Sequence, residues 1–505
     1  MADTLFQPLE FRNLKVKNRI FRSNVSGRFD NYDGSGNEAR INWELKFARG
    51  GVGGIMSSFV PVTARGRIMP NYATIETDER IPFWRELGKR VHEHDCRFIL
   101  QLSHAGRQRD MPGIEFAKGL SSTAKSEPLH GFECERMTVE DIQATVQAFA
   151  AGARRARAAG LDGVELHGAN GYLITQFLSS AINDRRDDYG GSLRKRARFL
   201  LEIVAAIRKE AGADFHLQVK ISATEFNNAL LPFEAPGNTL KDSLQVAKWL
   251  EEAGVDALHV STGSSFPHPK NPAGEFPVGD ALKTFPSMLA SGTNEFLNYL
   301  ALRNDATAKL YQALWNRARG ETIEGISLED SRKIKAAVRI PVICTGGFQT
   351  ASVIRQAIES GGCDAVSMAR PLIANNDLVK MFAAGARRRP LRLASGDAQG
   401  DLLGVHAGAV CRGCFGAGVR SMRLAAWFLC IVLPASVFSL GRNQPETFAD
   451  VREHFKYGSI GAESRAGFPY WIWVVLPRMF PEYLPNRPGV GYARFGLIFE
   501  SPNAG

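Results

Sequence analysis

Seven cysteines in 505 residues, at no regular spacing, are too few and too scattered for a disulfide framework, which points to a reducing compartment for the main domain. No Cys-x-x-Cys-His segment occurs, which argues against covalently attached haem. The N-terminus, MADTLFQPLEFRN, lacks the charged-then-apolar pattern of a secretory signal, so the first domain is expected to stay in the cytoplasm. Low hydrophobicity and extreme charge, the marks of disorder, are absent too: 44% of residues are hydrophobic and 23% charged, as in ordinary globular chains. The formal net charge of +10 does not carry a nucleic-acid reading, because the basic residues gather mainly in Arg387-Arg388-Arg389, Arg392, Arg412, Arg420 and Arg423. That cluster precedes an apolar run, where a membrane is the better explanation.

Short apolar runs alternate with amphipathic stretches eight times. The strand candidates are 19–25, 52–58, 97–103, 163–167, 215–221, 257–261, 342–345 and 365–368, separated by helical patterns such as 139–159 and 243–253. Such alternation predicts a parallel sheet, and eight units in about 380 residues favour a closed (β/α)8 TIM barrel over an open doubly wound sheet. The barrel is expected over residues 1–385, with its chemistry at the C-terminal strand ends. One connection is too long for a plain crossover: residues 263–325, after strand six, exceed what a crossover helix needs. Their position predicts a lid or substrate wall, with a surface excursion or oligomer contact as the competing reading.

Beyond the barrel, residues 386–423 read as a basic, loop-rich linker. Residues 424–440, LAAWFLCIVLPASVFSL, form an uncharged run at the short limit for a bilayer span, and 441–505 form an aromatic and proline-rich tail. Arg420 and Arg423 on its upstream side predict a cytoplasmic barrel anchored in the cytoplasmic membrane, with a buried core helix as the alternative.

Phosphate binding needs backbone N–H groups that approach closely, which glycine at a strand-to-helix turn permits. Gly346-Gly347 after strand seven and Ala369-Arg370 after strand eight occupy the two loops that form the usual phosphate site of such barrels, with Arg370 as a charged fork. The stretch Gly163 to Arg198, GVELHGANGYLITQFLSSAINDRRDDYGGSLRKRAR, places a histidine, an amide and a phenol just past a strand end. His167 and Asn170, spaced as on one helical turn, can converge on one oxygen atom, and Tyr172 just beyond has a proton to give. Together they can polarise a carbonyl and protonate its α-carbon.

Taken with Leu5-Phe6, Lys17-Asn18-Arg19-Ile20, Gln101-Leu102-Ser103-His104-Ala105-Gly106-Arg107, Cys344-Thr345-Gly346-Gly347-Phe348 and Ala369 to Asn375, this segment resembles the old yellow enzyme family of FMN-dependent NAD(P)H oxidoreductases. The resemblance covers about the first 415 residues. It implies FMN as cofactor, NADH or NADPH as hydride donor, and a small unsaturated carbonyl compound as substrate. It further implies that Gln101 contacts the flavin pyrimidine edge, that Ser26 stands where the family has Thr or Cys near a flavin carbonyl, and that Lys220, after strand five, takes a place often held by Arg. Read without the resemblance, Gln101 is a buried polar residue bonded to backbone, Ser26 a turn hydroxyl and Lys220 a surface cation.

Some relatives in the resembled family carry an iron-sulfur cluster on four cysteines after the barrel. Here Cys411 and Cys414 are present, the third position is Gly418, and Cys430 lies inside the apolar run, so no metal is expected. A C-terminal GxGxxG domain, found in the longer reductases, is also missing. The expected activity is reduction of the C=C bond of an α,β-unsaturated carbonyl compound. The alternatives are a flavin-dependent amine demethylase or oxidase on the same barrel, and a non-catalytic membrane-associated interaction protein.

Overall fold

In a computed structural model of the chain, the described residues are 3–385, apart from 110–115, 117, 129–130, 229, 231–233, 264–267, 272–273 and 289–292. The linker, the candidate span 424–440 and the tail therefore lie outside the described residues. Among the described residues no helix is long and apolar enough to cross a membrane.

Eight parallel strands close into a barrel: β1 (Ile20–Arg22), β2 (Gly54–Met56), β3 (Arg97–Ser103), β4 (Gly163–Gly168), β5 (His216–Ser222), β6 (Ala257–Ser261), β7 (Val342–Thr345) and β8 (Ala365–Met368). Each strand pairs with the next, and β8 pairs back onto β1 with Val366 opposite Ile20 and Met368 opposite Arg22. No strand of the ring keeps an open edge.

Helices follow the strands: α1 (Glu38–Arg49), α2 (Ile81–His92), α3 (Val139–Ala158), α4 (Leu193–Ala211), α5 (Leu240–Glu252), α6 (Leu328–Ala337), α7 (Ala351–Glu359) and α8 (Leu378–Ala383). Their starts are written into the sequence. Thr138 and Asp141 form a capping box at α3, each side chain bonding the other's backbone N–H. In α3 the buried residues Ile142, Val146, Phe149, Ala150, Ala153 and Ala156 recur at helical spacing, which turns one stripe onto the strands.

A hairpin that the periodicity did not reveal, Leu9–Glu10 paired antiparallel with Lys15–Val16, closes the N-terminal end of the barrel. Phe11, Leu14 and Val16 cluster there with Phe21, Ile99, Ala257, Ile343 and Ala365 from the early parts of the strands. Its runs of two residues are too short to show alternation. The opposite end, at the strand C-termini, is left for chemistry.

Residues 263–325 contain three helices, Val278–Met288, Thr293–Arg303 and Asp305–Arg319. They share a small apolar cluster of Phe276, Ala281, Leu302 and Trp315. The last residues of the insertion are tied to the turn after β7. Gly325 N donates to Gly346 O at 2.7 Å, and the Glu324 carboxylate accepts from Gln349 N, Thr350 N and Thr350 Oγ1 at 2.7 to 3.1 Å.

Candidate active site

β4 ends in the first chemical group. Glu165 and His167, two residues apart, both point into the barrel, because side chains alternate along a strand. The chain then turns sharply. Asn170 (φ +60°) and Gly171 (φ +79°) adopt left-handed backbone, and Tyr172 becomes the N-cap of a short helix, Leu173–Leu178. His167 and Asn170 are therefore not one helical turn apart, as their spacing suggested. They are joined by a strand-to-turn transition, and Asn is one of the few residues besides Gly that visit this conformation routinely. Asn170 N donates to Ser222 Oγ at 3.3 Å, and its carbonyl accepts from Gln108 Nε2 at 3.2 Å, which holds the turn on both sides.

The rings of His167 and Tyr172 meet edge to face with centroids 4.7 Å apart, and Phe59 packs on Tyr172 at 4.8 Å. Tyr172 also borders a cluster of Phe59, Ile68, Met69, Tyr72 and Ala105. This apolar wall raises the Tyr172 phenol above its ordinary range, helped by Tyr72, so the hydroxyl holds its proton at neutral pH. Burial, and then the cation of Lys220, hold His167 well below its ordinary value, so the imidazole is neutral and keeps one N–H. His167 Nδ1 is buried without a hydrogen-bond partner among the described residues. His167 and Tyr172 thus stand together against one apolar wall, and the backbone turn at Asn170 joins them.

Lys220 lies inside β5, third from its end, not after the strand. It is buried, so the surface-cation reading is overturned. Its Nζ donates to Asn24 Oδ1 at 2.9 Å, and burial pushes the ammonium down to about 8 while Glu165 pulls the other way. Gln101, inside β3, is fully buried. Its Nε2 donates to Glu165 Oε1 at 2.9 Å, so the side chain bonds a carboxylate rather than the backbone, and its Oε1 has no partner among the described residues. Ser26, past the end of β1, accepts from Arg28 N at 3.1 Å, which is a turn hydroxyl's contact.

At the other side of the barrel mouth, Gly346 (φ +152°) and Gly347 (φ +76°) follow β7. A Cβ on Gly347 would lie 2.0 Å from Ile323 O, so only glycine fits between this turn and the end of the insertion. The backbone N–H groups of Gly347 and Ala369 have no partner among the turn and loop hydrogen bonds of the described residues, while that of Gly346 sits at the Thr345–Ser367 ladder pairing. Arg370 opens the short helix Arg370–Ala374 after β8, and burial pushes its guanidinium down to about 10, still charged at neutral pH. Backbone donors beside a guanidinium suit a phosphate, and the buried acceptor of Gln101 with the cation of Lys220 suits an electron-accepting ring bearing an N–H. The residues present therefore fit a phosphorylated flavin.

Sequence reasoning missed Asn24, Glu165, Gln218, His259 and Ser367, which the barrel interior brings together. The signal was there in the alternation: Gln101, Glu165, Gln218 and Lys220, His259 and Ser367 are polar residues at inward positions of otherwise apolar strands. Among the described residues no group of three or more His, Cys, Asp or Glu side chains could hold a metal ion. Cys411, Cys414 and Cys430 lie outside them.

Residues 4–278 match the model of the NADH:flavin oxidoreductase / NADH oxidase family. An NADH oxidase of Thermoanaerobacter brockii is 32% identical over 387 residues, which are 75% of this chain and 51% of that protein. An NADPH dehydrogenase of Geobacillus sp. (strain WCH70) is 40% identical over 269 residues, 53% of this chain and 75% of that protein. The chain thus spans about half of the first relative's length and three quarters of the second's. The old yellow enzyme homologue from Zymomonas mobilis shares the fold with a TM-score of 0.59 at 20% identity, covering 81% of this chain and all of that one. With more than half of its length matched to the family model, on a closed barrel of the same fold, the chain belongs to the NADH:flavin oxidoreductase family, that of the old yellow enzymes.

Proposed function

We propose that the chain is an FMN-dependent NAD(P)H oxidoreductase that reduces the C=C bond of α,β-unsaturated carbonyl compounds. Bound FMN would supply the two-electron hydride chemistry that links the nicotinamide to the second substrate. The backbone N–H groups of Gly347 and Ala369, with Arg370, would hold the phosphate. Gln101 would meet the pyrimidine edge of the ring, Lys220 would offset the negative charge of the reduced ring, and Ser26 would lie near a ring carbonyl.

The observation that carries the reading is the pairing of a neutral His167, its Nδ1 without a partner among the described residues, with a protonated Tyr172. His167 and Asn170 donate hydrogen bonds to the substrate oxygen, and the bonds strengthen as that oxygen gains charge. Tyr172, kept protonated by its apolar wall, gives its proton to the α-carbon. A basic enolate takes a proton that neutral water chemistry would leave on the phenol. The aromatic wall of Phe59 and Tyr72 keeps the recess dry, which strengthens each of these bonds. Residues 263–325 act as a substrate wall, a role supported by their tie to the β7 turn. Anchoring through 424–440 is a separate proposal that rests on Arg420, Arg423 and the uncharged run.

Purified protein should be yellow, release FMN on denaturation, bleach with NADH or NADPH, and recover colour with an enone such as cyclohexenone. Colourless protein that takes up no FMN defeats the flavoenzyme reading. Oxidation of secondary or tertiary amines without enone reduction defeats the ene-reductase one.

A further inference from the structure

A buried carboxylate lies at the centre of the barrel interior, under the residues proposed to meet the flavin ring. Glu165 is completely buried and accepts four hydrogen bonds. Oε1 takes Asn24 Nδ2 and Gln101 Nε2, both at 2.9 Å, and Oε2 takes Gln218 Nε2 at 2.5 Å and His259 Nδ1 at 2.8 Å. Four donors fill the four lone-pair sites of an ionised carboxylate. Burial works to raise the carboxyl, but the hydrogen bonds from His259 and Gln218 and the cation of Lys220 outweigh it and hold it below its ordinary value. Glu165 is therefore acceptor-only, so His259 carries its proton on Nδ1. Burial keeps His259 neutral, which leaves Nε2 to accept from Ser367 Oγ at 2.8 Å.

Two consequences reach the site. Because the carboxylate engages the nitrogen end of the Gln101 carboxamide, the amide cannot flip, and its oxygen is left as the acceptor without a partner among the described residues. Asn24 is fixed in the same way: Nδ2 is engaged by Glu165 Oε1 and Ser57 O, so Oδ1 faces Lys220 Nζ. The ammonium and the carboxylate are thus joined through one amide and do not touch.

We infer that Glu165 is a positioning residue, which presents the Gln101 oxygen as an acceptor for a ring N–H and, through Asn24, holds the Lys220 ammonium where the reduced ring develops charge. The inference rests on the reading that Gln101 and Lys220 meet the flavin.

The sign of one measurement separates this role from a plain charge effect. Removing a negative charge near the flavin makes the reduced, anionic ring easier to form and raises its midpoint potential. Loss of the Lys220 position makes it harder and lowers the potential. Midpoint potentials of bound FMN in the full chain should therefore be compared for wild type, Glu165→Gln, Lys220→Met and the double variant, together with the dissociation constant of oxidised FMN. Glu165→Gln is expected to weaken the preference for reduced over oxidised flavin about tenfold, or about 30 mV for a two-electron couple. The double variant should lie no lower than Lys220→Met alone. Glu165→Gln at or above the wild-type potential, or fully additive shifts, overturns the inference. Lys220→Met without effect overturns instead the reading on which it rests. If Glu165→Gln does not fold, Asn24→Leu cuts the bridge without changing any charge. It should lower the potential to a similar extent, and an unchanged value overturns the inference.

Discussion

Tyr172 stands edge to face against His167, ring centroids 4.7 Å apart, with Phe59 also packed edge to face on the phenol at 4.8 Å. A neutral imidazole and a protonated phenol are thereby kept side by side at the end of one strand. The same burial that keeps the phenol protonated lowers the imidazole, so one environment fixes both protonation states.

Tyr172→Phe should leave reduction of the flavin by NADH or NADPH nearly intact and slow reoxidation by an enone about 10²- to 10⁴-fold, the range for loss of a positioned general acid. Stopped-flow absorbance of the two half-reactions reads this directly. Equal slowing of both would remove Tyr172 from the proton-transfer role.

Asn170 has both a side chain proposed to bind the substrate oxygen and a left-handed backbone, and two substitutions separate them. Asn170→Ala and Asn170→Gly should both weaken binding of p-hydroxybenzaldehyde, whose phenolate oxygen imitates the enolate. Only Asn170→Ala should also destabilise the protein, by about 1 kcal/mol, because Gly accepts φ of +60° without strain. Ligand titration by charge-transfer absorbance and thermal unfolding give the two numbers. His167→Ala should weaken the same phenolate without the backbone penalty.

Arg370→Ala should weaken FMN binding by about 1.5 to 3 kcal/mol, the scale of a hydrogen bond to a charged group. Fluorescence titration of flavin-free protein checks it, and riboflavin, which lacks the phosphate, should be insensitive to the substitution. Unchanged FMN affinity takes Arg370 out of the phosphate site.

Lys220 is the clearest pH-dependent group of the site. Its ammonium is depressed from 10.5 to about 8, so between those values the unfolded chain binds the extra proton and stability rises with pH. Below pH 8 the full cost of the buried cation is present. Lys220→Met removes it, so flavin-free Lys220→Met protein should be more stable than wild type at pH 7, by at most about 3 kcal/mol. The gap should close as pH approaches 10. Denaturant midpoints across that range check both the sign and the window, and a gap independent of pH contradicts the depression.

A chain ending at Phe415 should keep its FMN affinity, since every residue assigned to the site precedes Gly385. The full chain should sediment with membranes and resist salt extraction if 424–440 anchors it, because hydrocarbon burial is not screened as surface charge is. Full-length protein in the soluble fraction removes the anchor.

Much of the barrel was legible because its strands are short apolar runs between amphipathic stretches. Residues 97–103, 257–261, 342–345 and 365–368 form strands with the expected bounds. β1 and β2 are shorter than their apolar runs, because residues on either side leave the ladder for turns. The glycine turn after β7 was legible too, since glycine at a strand end has a local backbone cause. The interior carboxylate network was not, because its members lie on six strands or their ends and each looks, alone, like one polar residue in a core. The turn at Asn170 was misread as helical because a three-residue spacing does not distinguish a helix from a strand followed by a left-handed corner. Only the positive φ at Asn170 and Gly171 settles it.

The pairing of β8 with β1 has a consequence for the order in which the chain is made. Ile20 to Arg22 leave the ribosome first among the strands of the ring, yet their partners Val366 to Met368 come nearly 350 residues later. Until then one flank of β1 has no partner, and the early strands form an open apolar sheet, a template for pairing with other chains. Contacts of such long sequence separation are slow to form because loop closure is costly. A nascent chain arrested before residue 365 should therefore depend on chaperone capture, and gain independence within the few residues that complete β8.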